Sequence, residues 1–297
     1  MSPQATIDIG TNSVLLLIAQ KRGNRLEVLC DLARVSRLGE GLHLSRVFGP
    51  TAMERTLTVL KDYKKLCDQK GVERILAVGT AAFRKASNTP DFIDRVHKEL
   101  GIAIRVISGD EEATLSFQSV AHDFGHLGDS LVVLDIGGGS TEVITSTQSI
   151  SLDIGVVTLL ETFLKNDPPT DSEIKELRLY IQKFLGEKLH HFLKELAPNS
   201  ILVGLAGTVT TLSSVTQGLK KWDPQKVQGS RLTDKNLEEL LKRFLAVPLK
   251  RRQEIPGMDP DRADTIIPGV ILLQEIMRVL KTPSLLVSDR GLRYALL

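Results

Sequence analysis

Two nearly identical stretches of the sequence join an aspartate to a glycine turn and to hydroxyl side chains. The first is DIGTNS at residues 8–13, and the second is DIGGGS at residues 135–140. Glycine admits left-handed backbone conformations, so each turn can direct several N–H groups at one phosphate oxygen. Either turn alone is equally consistent with a hairpin turn whose aspartate caps backbone N–H groups. The candidate phosphate-binding residues of the two turns are Asn12, Ser13, Gly137, Gly138, Gly139 and Ser140.

Three carboxylates accompany these turns. Asp8 and Asp135 end the apolar runs that precede the turns, where a carboxylate can hold Mg²⁺ directly or through water. Glu142 shares a strand face with Ser140, because side chains alternate along a strand. If that face is buried, Glu142 requires a partner such as a metal ion or an attacking water. If the face is exposed, Glu142 is a solvated strand residue.

The stretch ISGDEEA places two glutamates at the start of a predicted helix. Ser108 and Glu111 have the spacing of a capping box, which accounts for Glu111 and leaves Glu112 without such a role. Spacing alone favours a surface position for Glu112 over a catalytic base, and both interpretations stay open. Arg84, in GTAAFRKASN, is equally consistent with a fork for phosphate oxygens and with an exposed helix arginine.

A second matched pair of stretches indicates that the chain contains a duplication. LAVGTA around Gly79 has a counterpart in GLAGTV around Gly207, 128 positions later, whereas Asp135 follows Asp8 by 127 positions. Two matches at nearly one spacing predict two similar lobes that face each other across a ligand-binding cleft. Gly207 and Thr208 thereby join the candidate phosphate-binding residues.

The spacing of apolar residues predicts an α/β architecture with mixed sheets flanked by helices. Helices are predicted over residues 51–70 and 90–100, in much of the chain between residues 157 and 196, beyond residue 233, and after residue 291. We place the division between an N-terminal lobe, 1–124, and a C-terminal lobe with helical insertions, 125–297. The predicted strands are 5–10, 13–20, 25–38, 74–80, 102–107, 131–137, 140–146, 150–156, 200–207 and 284–288.

Composition narrows the class of protein. A formal charge of +2 provides no general attraction for nucleic acid, and no apolar run approaches the 20 or so residues of a membrane span. The two cysteines, Cys30 and Cys67, form no disulfide framework or zinc motif, and the first residues lack the pattern of a signal peptide. We therefore expect a cytoplasmic protein with neither a nucleic-acid nor a membrane partner.

Together these stretches resemble the exopolyphosphatase and guanosine pentaphosphate phosphohydrolase family, a branch of the actin-like ATPase superfamily. The resemblance extends over essentially the whole chain. DIGGGSTE preceded by ISGDEEA is specific to this family, whereas DIGTNS also suits sugar and acetate kinases. The motifs that carry it are DIGTNS, RLGEGL, GTAAFRKASN, ISGDEEA, DIGGGSTE, SLDIGVVTLLE, LAGTVTTL and SDRGLR.

The resemblance implies a duplicated ribonuclease H-like fold with its active site in the cleft between the lobes. It also implies Mg²⁺-dependent hydrolysis of inorganic polyphosphate, or of guanosine pentaphosphate, by a homodimeric enzyme with a role in the stringent response. Glu112 matches the family's catalytic base, and Arg84 matches its phosphate-binding arginine. Asp135 and Glu142 match the positions that hold Mg²⁺ and the attacking water.

Two departures from the family and two rival functions remain. Thr158 stands where the family often has an arginine, which removes one expected anion contact. The chain also stops before the extra C-terminal helical domains of longer members, which are associated with long polymers and dimer contacts.

An ATP-dependent kinase would use the same turns with an adenosine pocket near Gly207, and ISGDEEA argues against it. A non-enzymatic nucleotide sensor would lack the base, whereas Glu112, Asp135 and Glu142 are all present.

Overall fold

The computed structural model describes residues 2–23, 25–197 and 199–297. The chain divides into two compact units. The first unit consists of residues up to 119 together with 292–297, and the second consists of residues 120–291. The sequence-based division instead assigned residues 120–124 to the N-terminal lobe and the last six residues to the C-terminal lobe.

The first unit is built on a five-stranded sheet with strands in the order β3-β2-β1-β4-β5. The pairs β1–β2 and β2–β3 are antiparallel, and β1–β4 and β4–β5 are parallel. Its elements are β1 (Gln4–Ile9), β2 (Ser13–Arg22), β3 (Arg25–Val35), α1 (Leu42–Ser45), α2 (Pro50–Gln69), β4 (Arg74–Gly79), α3 (Ala81–Lys85), α4 (Thr89–Leu100), β5 (Ile104–Val106) and the helix that leads into the second unit, α5 (Gly109–Phe124).

The second unit repeats this arrangement in the order β8-β7-β6-β9-β11, with β10 added at the β11 edge. The corresponding pairs keep the same parallel and antiparallel directions. Its helices and strands are β6 (Leu131–Ile136), β7 (Thr141–Ile144), β8 (Ser149–Leu152), α6 (Val156–Phe163), α7 (Asp171–Lys188), α8 (His190–Lys194), β9 (Ile201–Leu205), α9 (Ala206–Thr216), α10 (Pro224–Val227), β10 (Arg231–Thr233), α11 (Asp234–Leu245), α12 (Leu249–Gln253), α13 (Ile266–Val279) and β11 (Ser284–Val287). The predicted pair of duplicated ribonuclease H-like lobes is confirmed.

The strand register sets the offset between the two copies at 127 positions. Asp8 of β1 lies opposite Val78 of β4, and Asp135 of β6 lies opposite Leu205 of β9. Each aspartate is thus 70 positions before its partner, and the residue that corresponds to Gly79 is Ala206. The sequence comparison, which aligned Gly79 with Gly207, is wrong by one position at this point.

Each unit has its own apolar core. In the first unit the amphipathic helix α2 packs Leu57, Leu60 and Tyr63 against the central strands. In the second unit β6 is apolar on both faces, as expected for a strand covered by helices on both sides of the sheet. Within the described residues, no helix combines the length and apolar character needed to cross a membrane.

The last helix, α14 (Leu292–Ala295), returns to the first unit. Leu292 packs in a small apolar cluster with Val78 and Ile107. The Arg293 carbonyl accepts a hydrogen bond from the Thr6 hydroxyl at 2.8 Å, and its guanidinium forms a paired contact with Asp31 at 2.9 Å through both Nε and Nη2. The C-terminal segment thus packs against the sheet of the first unit and is part of that unit.

Candidate functional site

The two aspartate-glycine turns close in the same way. In the first turn the Gly10 N–H donates to the Ser13 carbonyl at 2.9 Å, and in the second the Gly137 N–H donates to the Ser140 carbonyl at 3.0 Å. Each turn links a central strand, β1 or β6, to its antiparallel neighbour. The duplication is therefore retained in the hydrogen bonding of the turns as well as in their sequence.

Buried polar atoms without protein partners mark the first turn. Asn12 is 5% exposed, and neither its Oδ1 nor its Nδ2 has a hydrogen-bond partner among the described residues. Asp8 Oδ1 is also inaccessible to solvent and has no partner in the described part of the chain. Buried polar atoms are nearly always hydrogen-bonded, so a group of such atoms without protein partners is expected where a polar ligand binds.

Asp8 lies in an environment that disfavours its charge. Burial, and to a smaller extent the nearby Glu112 carboxylate, raise the pKa of its carboxyl from 3.8 to about 7, against the opposing effect of the Arg293 guanidinium. The protonated form is thus well populated at neutral pH unless a cation approaches the carboxyl. This property suits a carboxylate that acts with a bound metal ion.

Glu112 lies in the first turn of α5 and is 7% exposed. Its Oε2 accepts a hydrogen bond from Arg84 Nη1 at 2.8 Å, and the same nitrogen donates to the Ile107 carbonyl at 3.0 Å. Burial raises the pKa of Glu112, and the Arg84 guanidinium opposes that effect. The surface interpretation of Glu112 is therefore wrong, and Arg84 is its ion-pair partner.

Ser108 and the neighbouring glutamate, Glu111, form one of the two hydrogen bonds of the predicted capping box. The Glu111 N–H donates to the Ser108 hydroxyl at 3.1 Å, so Ser108 caps α5. The Glu111 carboxylate accepts from Arg105 Nη1 at 2.5 Å, on the exterior of the unit. Two adjacent glutamates thus have different environments, and only Glu112 is buried.

A loop after β3 holds the backbone of the first turn. We call residues 36–40 the backing loop. The Ser36 and Arg37 N–H groups both donate to the Asn12 carbonyl, at 3.0 and 2.9 Å, and the Gly39 N–H donates to the Thr11 carbonyl at 2.9 Å. A Cβ atom on Gly39 would lie 2.3 Å from Thr11 Cγ2, so the approach of the two segments requires glycine.

The second turn is accompanied by two facing carboxylates. Asp135 and Glu142 are direct cross-strand partners on β6 and β7, and Glu142 pairs in turn with Ser151 on β8. Directly opposed residues share one face of a sheet with Cβ atoms about 5 Å apart. Glu142 is 2% exposed and accepts a hydrogen bond from the Ser151 hydroxyl at 2.9 Å, so the solvated interpretation of Glu142 is wrong.

The start of α6 holds the backbone of the second turn. The Val156 N–H donates to the Gly137 carbonyl at 3.1 Å, and the Val157 and Thr158 N–H groups donate to the Gly138 carbonyl at 2.9 and 3.4 Å. A Cβ atom on Gly155 would lie 2.4 Å from the carbonyl carbon of Gly138. Thr158, where an arginine was expected from the resemblance, thus contributes its backbone to the turn.

The start of α9 is shaped by two features that sequence patterns did not reveal. Ala206 has a φ of 70°, a left-handed conformation unusual for a residue other than glycine. The Arg262 guanidinium packs directly on Gly207, where a Cβ atom would lie 2.0 Å from Arg262 Cζ. Arg262 is held by Asp259 at 3.2 Å. Gly207 therefore lies against a partly buried cation as well as at a helix start.

The predicted site residues fall into two groups. The first unit brings together Asp8, Asn12, Arg84 and Glu112, and the second brings together Asp135, Glu142 and the glycine turn. In the described ranges, no three His, Cys, Asp or Glu side chains cluster closely enough to form a metal site by themselves. The facing pair and the orphaned Asp8 oxygen nevertheless supply oxygen ligands of the kind that Mg²⁺ prefers.

Comparison with known proteins adds a family and a fold. The model of the Ppx/GppA phosphatase family matches residues 17–297. Exopolyphosphatase 2 of Mycobacterium tuberculosis is 38% identical over 291 residues, which cover 93% of this chain and 90% of that protein.

Solved structures of similar proteins cover nearly the whole chain. The crystal structure of the Aquifex aeolicus Ppx/GppA family member has a TM-score of 0.80 at 34% identity, over 99% of this chain and 96% of that one. An exopolyphosphatase from Cytophaga hutchinsonii has a TM-score of 0.88 at 28% identity, again over 99% and 96% of the two chains.

Proposed function

Because this chain belongs to the Ppx/GppA phosphatase family, we propose that it is an exopolyphosphatase that removes the terminal phosphate of inorganic polyphosphate. Membership makes it a phosphoanhydride hydrolase, and the choice of polyphosphate rests on its similarity to exopolyphosphatase 2. The structural observation that carries the proposal is the buried Glu112, paired with Arg84 beside Asp8.

Glu112 is the general base in this proposal. A water oxygen attacks the terminal phosphorus, the bridging P–O bond breaks, and the water proton passes to the Glu112 carboxylate. Burial gives Glu112 a raised pKa, which makes it a stronger base than an exposed carboxylate, and Arg84 keeps it ionised and oriented. Both Arg84 hydrogen bonds use Nη1, so further guanidinium donors serve a phosphate oxygen.

Each turn can bind phosphate through backbone N–H groups and short side chains. Asn12 contributes a buried amide that has no partner in the described residues, and Ser13 and Ser140 add hydroxyl groups. Gly137, Gly138 and Gly139 let the second turn approach the phosphates without side-chain obstruction. In phosphoryl transfer such positioned donors account for most of the catalysis, since the protein forms no covalent bond.

Asp135 and Glu142 would hold Mg²⁺, and Asp8 is a further candidate metal ligand within the first unit. When bound there, the ion would supply positive charge that stabilises the phosphate oxygens. In the second unit the fit rests on the facing carboxylates of β6 and β7. In the first unit it rests on the Asp8 oxygen, which lacks a protein partner among the described residues. The raised pKa of Asp8 agrees with a carboxyl whose charge needs a nearby cation.

The test is phosphate release by the purified protein with Mg²⁺ from four substrates in parallel: short polyphosphate, long polyphosphate, guanosine pentaphosphate and ATP. We expect polyphosphate to give the highest kcat/KM, and Glu112→Gln to abolish release, which excludes a contaminating phosphatase. A preference for guanosine pentaphosphate would identify the other activity implied by the family. ATP turnover that depends on an acceptor alcohol would overturn the hydrolase assignment.

A further inference from the structure

Helix α2 reaches the backing loop through one arginine. Arg55 Nε donates to the Ser36 carbonyl at 2.9 Å, and Arg55 Nη2 donates to the Arg37 carbonyl at 3.3 Å and to Glu40 Oε2 at 2.5 Å. The next residue, Thr56, is fully buried, and its hydroxyl lies 3.0 Å from the Ser36 hydroxyl. The backing loop is thus fastened to a rigid helix on the side away from the first turn.

The backing loop needs this fastening, because its backbone is strained. Arg37 has a φ of 54°, in the left-handed region that residues with a Cβ atom rarely adopt. The two peptide groups that flank this residue are held on opposite sides. Its N–H donates to the Asn12 carbonyl, and its own carbonyl accepts from Arg55. The Arg37 carbonyl also accepts from the Glu40 N–H at 3.1 Å, so Arg55 adds the contact that links the backing loop to α2.

The strain matters because of what the backing loop positions. The Asn12 carbonyl accepts from both Ser36 and Arg37, whereas the Asn12 side chain has no hydrogen-bond partner among the described residues. The direction of that buried amide is therefore set through its own backbone. A displacement of the backing loop would be transmitted directly to the Asn12 side chain.

We infer that Arg55 is a positioning residue of the first turn, which holds Asn12 in place through the backing loop. The inference rests on the proposed role of Asn12 in binding a phosphate. Arg55 does not itself contact the phosphate in this proposal. It acts through three carbonyl and carboxylate contacts on residues 36–40, so its loss affects substrate binding more than the chemical step.

The test compares Arg55→Met with Arg55→Lys and with the control Arg34→Met in the full chain. Arg34, in β3, forms an ion pair with Asp62 of α2, the helix that also carries Arg55. Arg34 makes no described contact with the backing loop. We expect Arg55→Met to raise KM for polyphosphate about tenfold, with kcat changed less than threefold. Arg55→Lys, which keeps a cation for Glu40 and a carbonyl, should recover most of the affinity, and Arg34→Met should leave KM unchanged.

Hydrogen exchange provides a readout independent of the substrate. In Arg55→Met the Ser36, Arg37 and Gly39 amides should exchange at least tenfold faster than in the wild type, and in Arg34→Met they should not. If the wild type fails to hydrolyse or bind polyphosphate, the proposed function is wrong. Faster amide exchange in Arg55→Met would still support the inference that Arg55 holds the backing loop. Unchanged exchange at these amides, or an equal KM change in both methionine variants, would overturn the inference.

Discussion

The two aspartate-glycine turns have the same closing hydrogen bond but differ in what surrounds them. The first turn carries a buried asparagine, and its unit contains the buried Glu112 paired with Arg84. The second turn is made of glycines, and its unit contains the facing carboxylates Asp135 and Glu142. Duplication thus preserved the backbone of the turn, while the side chains around each copy diverged.

The two turns are also supported by different structures. Three backbone N–H groups hold the carbonyls of each turn, but those of the first come from the irregular backing loop and those of the second from the start of α6. A helix start is rigid by itself, because its later residues are hydrogen-bonded within the helix. An irregular loop depends on side chains such as Arg55. The first turn is therefore the more easily displaced of the two.

The largest expected effect tests the assignment of the base to the first unit. Glu112→Gln should lower kcat by about 10²- to 10⁴-fold with little change in KM, because the amide keeps the shape and loses the proton acceptor. The matched control is Glu111→Gln, an adjacent and exposed glutamate paired with Arg105, which should retain wild-type kcat. A loss below tenfold in the first variant would remove Glu112 from the base role.

The next largest effect is expected when a methyl group is added at a glycine that packs against each turn. Gly155→Ala places a methyl group 2.4 Å from the Gly138 backbone, whereas Gly39→Ala places one 2.3 Å from a methyl of the Thr11 side chain. Backbone yields less readily than a side chain, so we expect KM for polyphosphate to rise more than tenfold in the first variant and about threefold in the second. Gly186→Ala, in open space on α7, is the control. Equal effects at both turns would contradict the difference in support.

A smaller effect is expected at the carboxylate pair of the second unit. Asp135→Asn and Glu142→Gln should each raise the Mg²⁺ concentration for half-maximal activity several-fold, since each removes one charge from the proposed site. Calorimetric titration of Mg²⁺ without substrate should show the same weakening. Ser151→Ala removes the hydrogen bond to Glu142 and keeps both charges, so it should have little effect. Unchanged titrations in both carboxylate variants would place the metal elsewhere.

The smallest effect concerns stability and pH. The folded-state pKa of Asp8 is raised from 3.8 to about 7, so the folded chain binds this proton more tightly than the unfolded chain does. The stability contribution of Asp8 therefore falls as pH rises from about 4 to about 7. Asp8→Asn should stabilise the metal-free protein at pH 8 and match the wild type below pH 4. Denaturant unfolding at both pH values provides the measurement, and a destabilised variant at pH 8 would be the contrary result.

The sequence allowed most of the scaffold to be predicted, because apolar periodicity and turn residues are local signals. The strands that carry both aspartates, the glycine turns and helix α2 all lie within a few residues of their predicted positions. The burial of Glu112 and Glu142 was left open, since it depends on packing between elements distant in sequence. The short strand β10 was missed because three residues provide too little pattern.

Other features depended on contacts that no local pattern encodes. Gly155 falls within a predicted strand and Gly39 directly after one, and only the neighbouring backbone or side chain explains the two glycines. Arg55 belongs to a polar helix face, where an arginine is expected whether or not it holds a loop. The match of Gly79 to Gly207 failed by one position, because a glycine was aligned where the fold accepts an alanine with positive φ.

The return of α14 to the first unit has a consequence for how the protein is made. Ribosomes release the N-terminal residues first, and domains generally fold as units during synthesis. Here the hydrogen bonds of Thr6 and Asp31 with Arg293, and the apolar contact of Val78 with Leu292, form only after the C-terminal residues have been synthesised. The first unit to emerge is therefore the last to be completed, and the second unit can finish folding while its older neighbour is still unfinished.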